Sequence, residues 1–138
     1  MAYSFPVYSP QVPLGVTWAE RITLLANNVP RDLTGLHVRA QLRADVPIAN
    51  NPPPMLELTT PGFYTSSPPW PVREAFSVPT PSNGVILLYL RHQDFAAIVS
   101  PTNDRIKYDW EIVLVNKTTG DIQPVLGGKV DFLSAITE

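Results

Sequence analysis

The sequence predicts an all-β fold, an Ig-like or jelly-roll-like antiparallel β-sandwich with an extended N-terminal arm and a long proline-rich loop. Three observations predict it. Apolar and polar residues alternate with a period of two in several separate stretches, the pattern of strands with one buried face. Sixteen prolines in 138 residues remove backbone donors and interrupt helices. Turn residues such as Ser82-Asn83-Gly84 and Asn116-Lys117-Thr118-Thr119-Gly120-Asp121 separate the alternating stretches at short intervals.

Length and composition bound what such a chain can be. A chain of 138 residues with 44% hydrophobic content builds one ordinary core. Charged residues make up 16% of it, below the roughly 25% of typical soluble domains, which favours a surface that ends up covered. The net charge is −2 and no basic stripe is present, so no nucleic-acid ligand is expected. No run approaches the ~20 apolar residues of a membrane-spanning helix, so no membrane partner is expected. The start, Met-Ala-Tyr-Ser-Phe-Pro, lacks a basic n-region and an apolar h-region, which predicts synthesis into a cytoplasm. The absence of cysteine removes disulfides, thiolate nucleophiles and Cys-type metal sites together.

Residues 1–14 carry Pro6, Pro10 and Pro13 among Tyr3, Phe5, Val7, Tyr8 and Val12. Each proline deletes a ladder hydrogen bond, so the segment reads as an extended arm whose rings dock on something, for example a neighbouring subunit. From residue 15 to residue 138 a single sandwich is expected. Val16, Trp18, Ile22 and Leu24 define a first strand face, and residues 27–32 a turn-rich linker favouring caps and left-handed conformations. Leu36, Val38, Ala40 and Leu42 then alternate with His37, Arg39, Gln41 and Arg43, predicting an apolar inner and a charged outer face.

Ten of the prolines fall between residues 44 and 84, a stretch read as an insertion with one short strand near residues 55–59. Phe63, Tyr64, Trp70 and Phe76 argue that part of it is an ordered contact surface. Val85–Leu90 is apolar at every position, as expected of a central strand covered on both faces. Phe95 and Ile98 suggest one helical turn. Tyr108, Trp110, Ile112 and Leu114 alternate with Asp109, Glu111 and Val113; a hairpin turn follows, then a returning strand with a bulge at Gly127-Gly128.

Catalytic chemistry finds little foothold. His37 and His92 lie far apart, each read as a solvated surface histidine, and no metal or nucleotide motif is present. Asp109 and Glu111 share a strand face and read as the wet side of a sheet rather than an acid–base pair. Asn116-Lys117-Thr118 reads as a turn. Trp18 and Trp110 fall on apolar faces and read as core, whereas Trp70, framed by prolines, reads as a contact residue. Neither a cofactor nor a metal is expected, and the chain is read as no enzyme.

The order of signals resembles a known family. Residues 18–25, then Pro30-Arg31-Asp32-Leu33-Thr34-Gly35 leading into residues 36–43, resemble the opening of small β-sandwich proteins of tailed bacteriophages, the baseplate upper-protein N-terminal and tail-fibre-connector type domains. Tyr108-Asp109-Trp110-Glu111-Ile112, Gly127-Gly128-Lys129-Val130-Asp131-Phe132 and Ala135-Ile136-Thr137 resemble its close. The resemblance implies a virion structural protein of tail or baseplate, partnered by other virion proteins and by copies of itself in a homo-oligomer. Tyr3, Phe5, Tyr8, Phe63, Tyr64 and Trp70 are its candidate interaction residues. A capsid cement protein is the alternative, and a carbohydrate- or receptor-binding module with Tyr64 and Trp70 as platform is the second.

Overall fold

The protein is an all-β sandwich, seen in a computed structural model that describes residues 8–13, 17–44, 54–64, 66, 68–95 and 105–133. Its elements are β1 (Gln11–Pro13), β2 (Trp18–Thr23), β3 (Leu25–Ala26), β4 (Val29–Pro30), β5 (Leu36–Ala44), β6 (Leu56–Thr59), β7 (Val72–Arg73), β8 (Phe76–Ser77), β9 (Val85–Leu90), α1 (His92–Phe95), β10 (Arg105–Asn116) and β11 (Ile122–Leu133). One sheet has the order β1-β11-β10-β5-β6-β7, the second β2-β9-β8, and β3-β4 is a separate hairpin.

The period-two strands fold as their pattern dictates. Val38, Ala40 and Leu42 of β5 lie opposite Leu114, Ile112 and Trp110 of β10, and all six side chains are buried. Across the sandwich they meet Trp18 and Ile22 of β2, Ile86, Leu88 and Leu90 of β9, and Phe76 of β8 in one continuous core. Trp18 packs against Trp110 and edge-on against Phe132, each with ring centroids 5.7 Å apart. Both tryptophans are core, as their faces predict. The single turn of α1 also lies where the Phe95 spacing put one.

Five expectations are corrected. First, the arm expected over residues 1–14 is, at Gln11–Pro13, a strand of the larger sheet, parallel to β11 with Val12 opposite Phe132. Val12 is only 1% exposed. Its prolines are tolerated because β1 is an edge strand, where one side of the ladder needs no donors. Second, the sheets are not purely antiparallel, since β6 and β7 also pair in parallel.

Third, the proline-rich stretch is not a plain insertion. Residues 54–84 contribute β6, β7 and β8, and Leu56, Leu58 and Phe76 join the core. Their prolines sit at strand ends and turns, with Pro81 opening a 3-10 turn where its fixed φ fits. Fourth, the bulge lies at Val125, between the pairs Ile112–Leu126 and Val113–Pro124. Gly128 serves instead for close approach, since a Cβ there would sit 2.4 Å from the Tyr8 carbonyl oxygen.

Fifth, β9 is covered on one face only. Its strand pattern runs buried at Ile86, Leu88 and Leu90, while Val85 and Leu87 are half-buried and Tyr89 is 62% exposed. Tyr3, Phe5 and Val16 lie outside the described residues, as do residues 45–53 and the stretch holding Ile98.

Candidate contact surface

Of the predicted contact residues, Tyr8 is built into its own chain. Its backbone N–H donates to Gly127 at 2.8 Å, and its carbonyl accepts from the Trp110 indole at 2.9 Å. Its hydroxyl donates to Glu20, which also receives the Trp18 indole at 3.1 Å. Burial and the neighbouring Glu20 carboxylate push the Tyr8 phenol up to about 12. Glu20 therefore stitches the mouth of the sandwich, taking donors from β2 and from the segment ahead of β1.

Phe63, Tyr64 and Trp70 come together on a strap over the outer face of β5 and β6. The strap is held by Glu57, a fully buried carboxylate on that face. Its Oε1 accepts from Gln41 at 2.7 Å and from the Trp70 indole at 3.0 Å. The Tyr64 hydroxyl also bonds to Glu57, and burial together with that carboxylate raises its phenol to about 12. Backbone bonds add to this, with Glu57 N–H donating to Pro71 at 2.9 Å. The polar ends of Tyr64 and Trp70 thus point into the fold.

The strap also corrects the reading of His37 as solvated. Its ring meets Phe63 edge-on at 5.2 Å and shares a 2.7 Å hydrogen bond with Thr60. Burial, with the Lys117 ammonium as a second cause, holds its pKa below the ordinary value. Under the same strap Arg39 Nε and Glu57 Oε2 are buried without a hydrogen-bond partner among the described residues. His92 is exposed, as predicted. Asp109 pairs with Lys129 at 2.6 Å on the wet side of the larger sheet, as its pattern predicts. Among the described residues no three His, Asp or Glu side chains gather as metal ligands, and no helix is long and apolar enough to cross a membrane.

Two apolar surfaces were not anticipated. On the outer face of the smaller sheet Tyr89 lies opposite Ala19, Leu87 opposite Arg21 and Ser77, and Val85 opposite Thr23. The only ionisable side chains of this face among the described residues are Arg21 and the Tyr89 phenol. At one end of the sandwich the β3-β4 hairpin turns through Asn27 (φ 54°) and Asn28 (φ 66°), the paired positive φ of a type I′ turn. It presents Leu25 at 58% and Val29 at 60% exposure. Arg31, just after β4, donates to the Gln123 side chain beside Ile122, itself 55% exposed. Leu25-Ala26-Asn27-Asn28-Val29 carries a hairpin signature, two turn residues between apolar flanks, which the reading as a linker passed over.

No protein-family model and no curated sequence matches the chain. Among solved structures it is similar to the N-terminal domain of phage TP901-1 ORF48, over 94% of this chain and 86% of that one, at 8% identity and a TM-score of 0.48.

Proposed function

We propose that this chain is a non-enzymatic structural component of a bacteriophage particle, a tail or baseplate adaptor that works through contacts with neighbouring subunits. The observation that carries the reading is the outer face of β9. Val85–Leu90 has the composition of a strand buried on both sides, yet Val85, Leu87 and Tyr89 face outward. An apolar face in so charge-poor a chain is what an interface residue set requires, because the core of an interface is depleted in charge and enriched in tyrosine. The family resemblance of residues 18–25, 30–43, 108–112, 127–132 and 135–137 supports the same reading, and the turn-rigid hairpin with Leu25 and Val29 supplies a second apolar projection.

The test is a map of the purified particle combined with the variants Leu87→Glu and Tyr89→Glu. Density for the sandwich at the tail tip or fibre junction, lost in both variants although each folds, is the expected result. Density on the capsid lattice would replace the adaptor by a cement protein. Absence from particles would sink the structural reading and favour the binding module.

A further inference from the structure

A cleft of about 420 Å³ opens at the end of the sandwich where the β10-β11 turn lies. That volume falls within the roughly 300–1,000 Å³ of sites that take small ligands or side chains. Leu33, Leu36, Val78 and Pro81 form its apolar wall, and Leu33 is part of the core floor. Among the described residues Lys117 and His37 are the titratable groups in the lining, and no carboxylate lines it. Lys117 is exposed and fixed in place by its N–H, which donates to the Gly35 carbonyl at 3.0 Å. Such a cleft suits an aliphatic side chain with a carboxylate close beside it.

The chain itself holds a segment of that chemistry. Beyond Leu133 it continues Ser134-Ala135-Ile136-Thr137-Glu138. Ile136 and Glu138 are two positions apart, so an extended backbone places both on one side. The segment follows the far end of β11, since Leu133 pairs with Arg105 while Ile122 pairs with Val115 next to the turn. Along β11 that separation is about 36 Å at ~3.3 Å per residue. Five residues reach at most about 18 Å. The segment therefore cannot enter the cleft of its own chain.

We propose that this cleft receives residues 134–138 of a second copy, Ile136 against Leu33, Leu36 and Val78, and Glu138 beside Lys117. The contact joins the cleft of one copy to residues 134–138 of another, so it either closes reciprocally in an antiparallel dimer or propagates into rings or filaments. It deepens the assembly reading above and rests on it for the supply of neighbouring copies.

The test uses the full chain, a variant lacking residues 134–138, and the variants Lys117→Glu and Glu138→Lys. Sedimentation velocity should show concentration-dependent self-association of the full chain, lost on deletion and weakened about tenfold in each charge variant. A mixture of Lys117→Glu and Glu138→Lys chains should associate again. The blocked peptide Ser-Ala-Ile-Thr-Glu, added to the deletion variant, should shift the NMR signals of Leu36, Val78 and Lys117. Unchanged association on deletion, or peptide shifts elsewhere or absent at millimolar concentration, would overturn the proposal. Particles that take up the charge variants as well as the wild type would also overturn it and leave the structural role standing. Absence of the wild-type chain from particles would instead count against that role and leave the peptide result to stand.

Discussion

Trp18 on the smaller sheet and Trp110 on the larger one meet across the core with ring centroids 5.7 Å apart and planes tilted by 39°. Each also spends its indole N–H at the rim, Trp18 on Glu20 and Trp110 on the Tyr8 carbonyl. The pair therefore joins the two sheets and anchors the segment leading into β1. Offset or tilted aromatic pairs contribute about 0.5–1.5 kcal/mol beyond their burial.

Replacing Trp110 by alanine removes the cross-sheet contact and leaves the Tyr8 carbonyl without its donor. A loss of about 3–5 kcal/mol is expected, enough to unfold a large fraction of a marginal domain. Urea denaturation followed by circular dichroism measures it. A loss under about 1 kcal/mol would show that the core does not depend on this pair.

Val12 tests whether the first strand belongs to the fold. Val12→Ala deletes two buried methyl groups opposite Phe132 and should cost about 2 kcal/mol. Removing residues 1–13 should cost more, because the bonds from Trp110, Lys129 and Asp131 to residues 8–10 go as well. A truncated chain as stable as the intact one would return this segment to the status of a free arm.

Gly128→Ala should act on the same segment from the other side. The added Cβ would meet the Tyr8 carbonyl oxygen at 2.4 Å and Ser9 Oγ at 2.8 Å. Residues 8–9 must then move off β11, and amide exchange should accelerate at Tyr8 and Asp131, whose N–H groups bond across this seam. Unchanged protection at both would refute the close approach.

The phenols of Tyr8 and Tyr64 sit at about 12 in the folded protein against an ordinary 10.0. Between these values the folded chain holds more protons than the unfolded one, so stability is full below about pH 10 and falls as pH rises towards 12. Replacing both by phenylalanine should flatten that fall, read from urea midpoints across the alkaline range. An equal fall in the double variant would assign it to other groups.

Trp70→Phe keeps an aromatic ring, smaller than the indole, and removes the bond to Glu57. Hydrogen bonds to charged groups contribute about 1.5–3 kcal/mol, and a loss in that range is expected, with faster proteolysis within the strap. Unchanged stability and protease resistance would mean that Tyr64 and the backbone hold the strap alone.

Much of the sandwich was legible because its signals are local. Residues 36–43 alternate strictly and residues 108–114 do so apart from Val113, and every inner position of β10 among them is buried. What escaped depends on partners distant in the chain. Nothing near Val12 announces that it pairs with Phe132. His37 and Arg39 follow the pattern of a wet face, yet Phe63, Tyr64 and Trp70 fold over that face through Glu57, whose burial no neighbour in sequence reveals. An apolar run such as Val85–Leu90 shows that a strand is avoided by water on both sides without showing whether the second cover comes from the same chain. The aromatic residues Phe63, Tyr64 and Trp70 announced an ordered stretch, whereas the direction in which Tyr64 and Trp70 turn their polar ends was not legible.

The seam between the start and the close of the chain has a consequence in time. Ser9 accepts from the Lys129 N–H, 120 positions later, and Tyr8 from an indole 102 positions later. A ribosome delivers residues 8–13 roughly a hundred residues ahead of β11, and they wait for it through that interval. Closure of so long a loop is slow compared with local hairpins. The larger sheet therefore closes only once β11 has been made, so that a nascent chain still lacking β11 carries raw edges on β1 and β10 and, without Phe132, an unfilled core position.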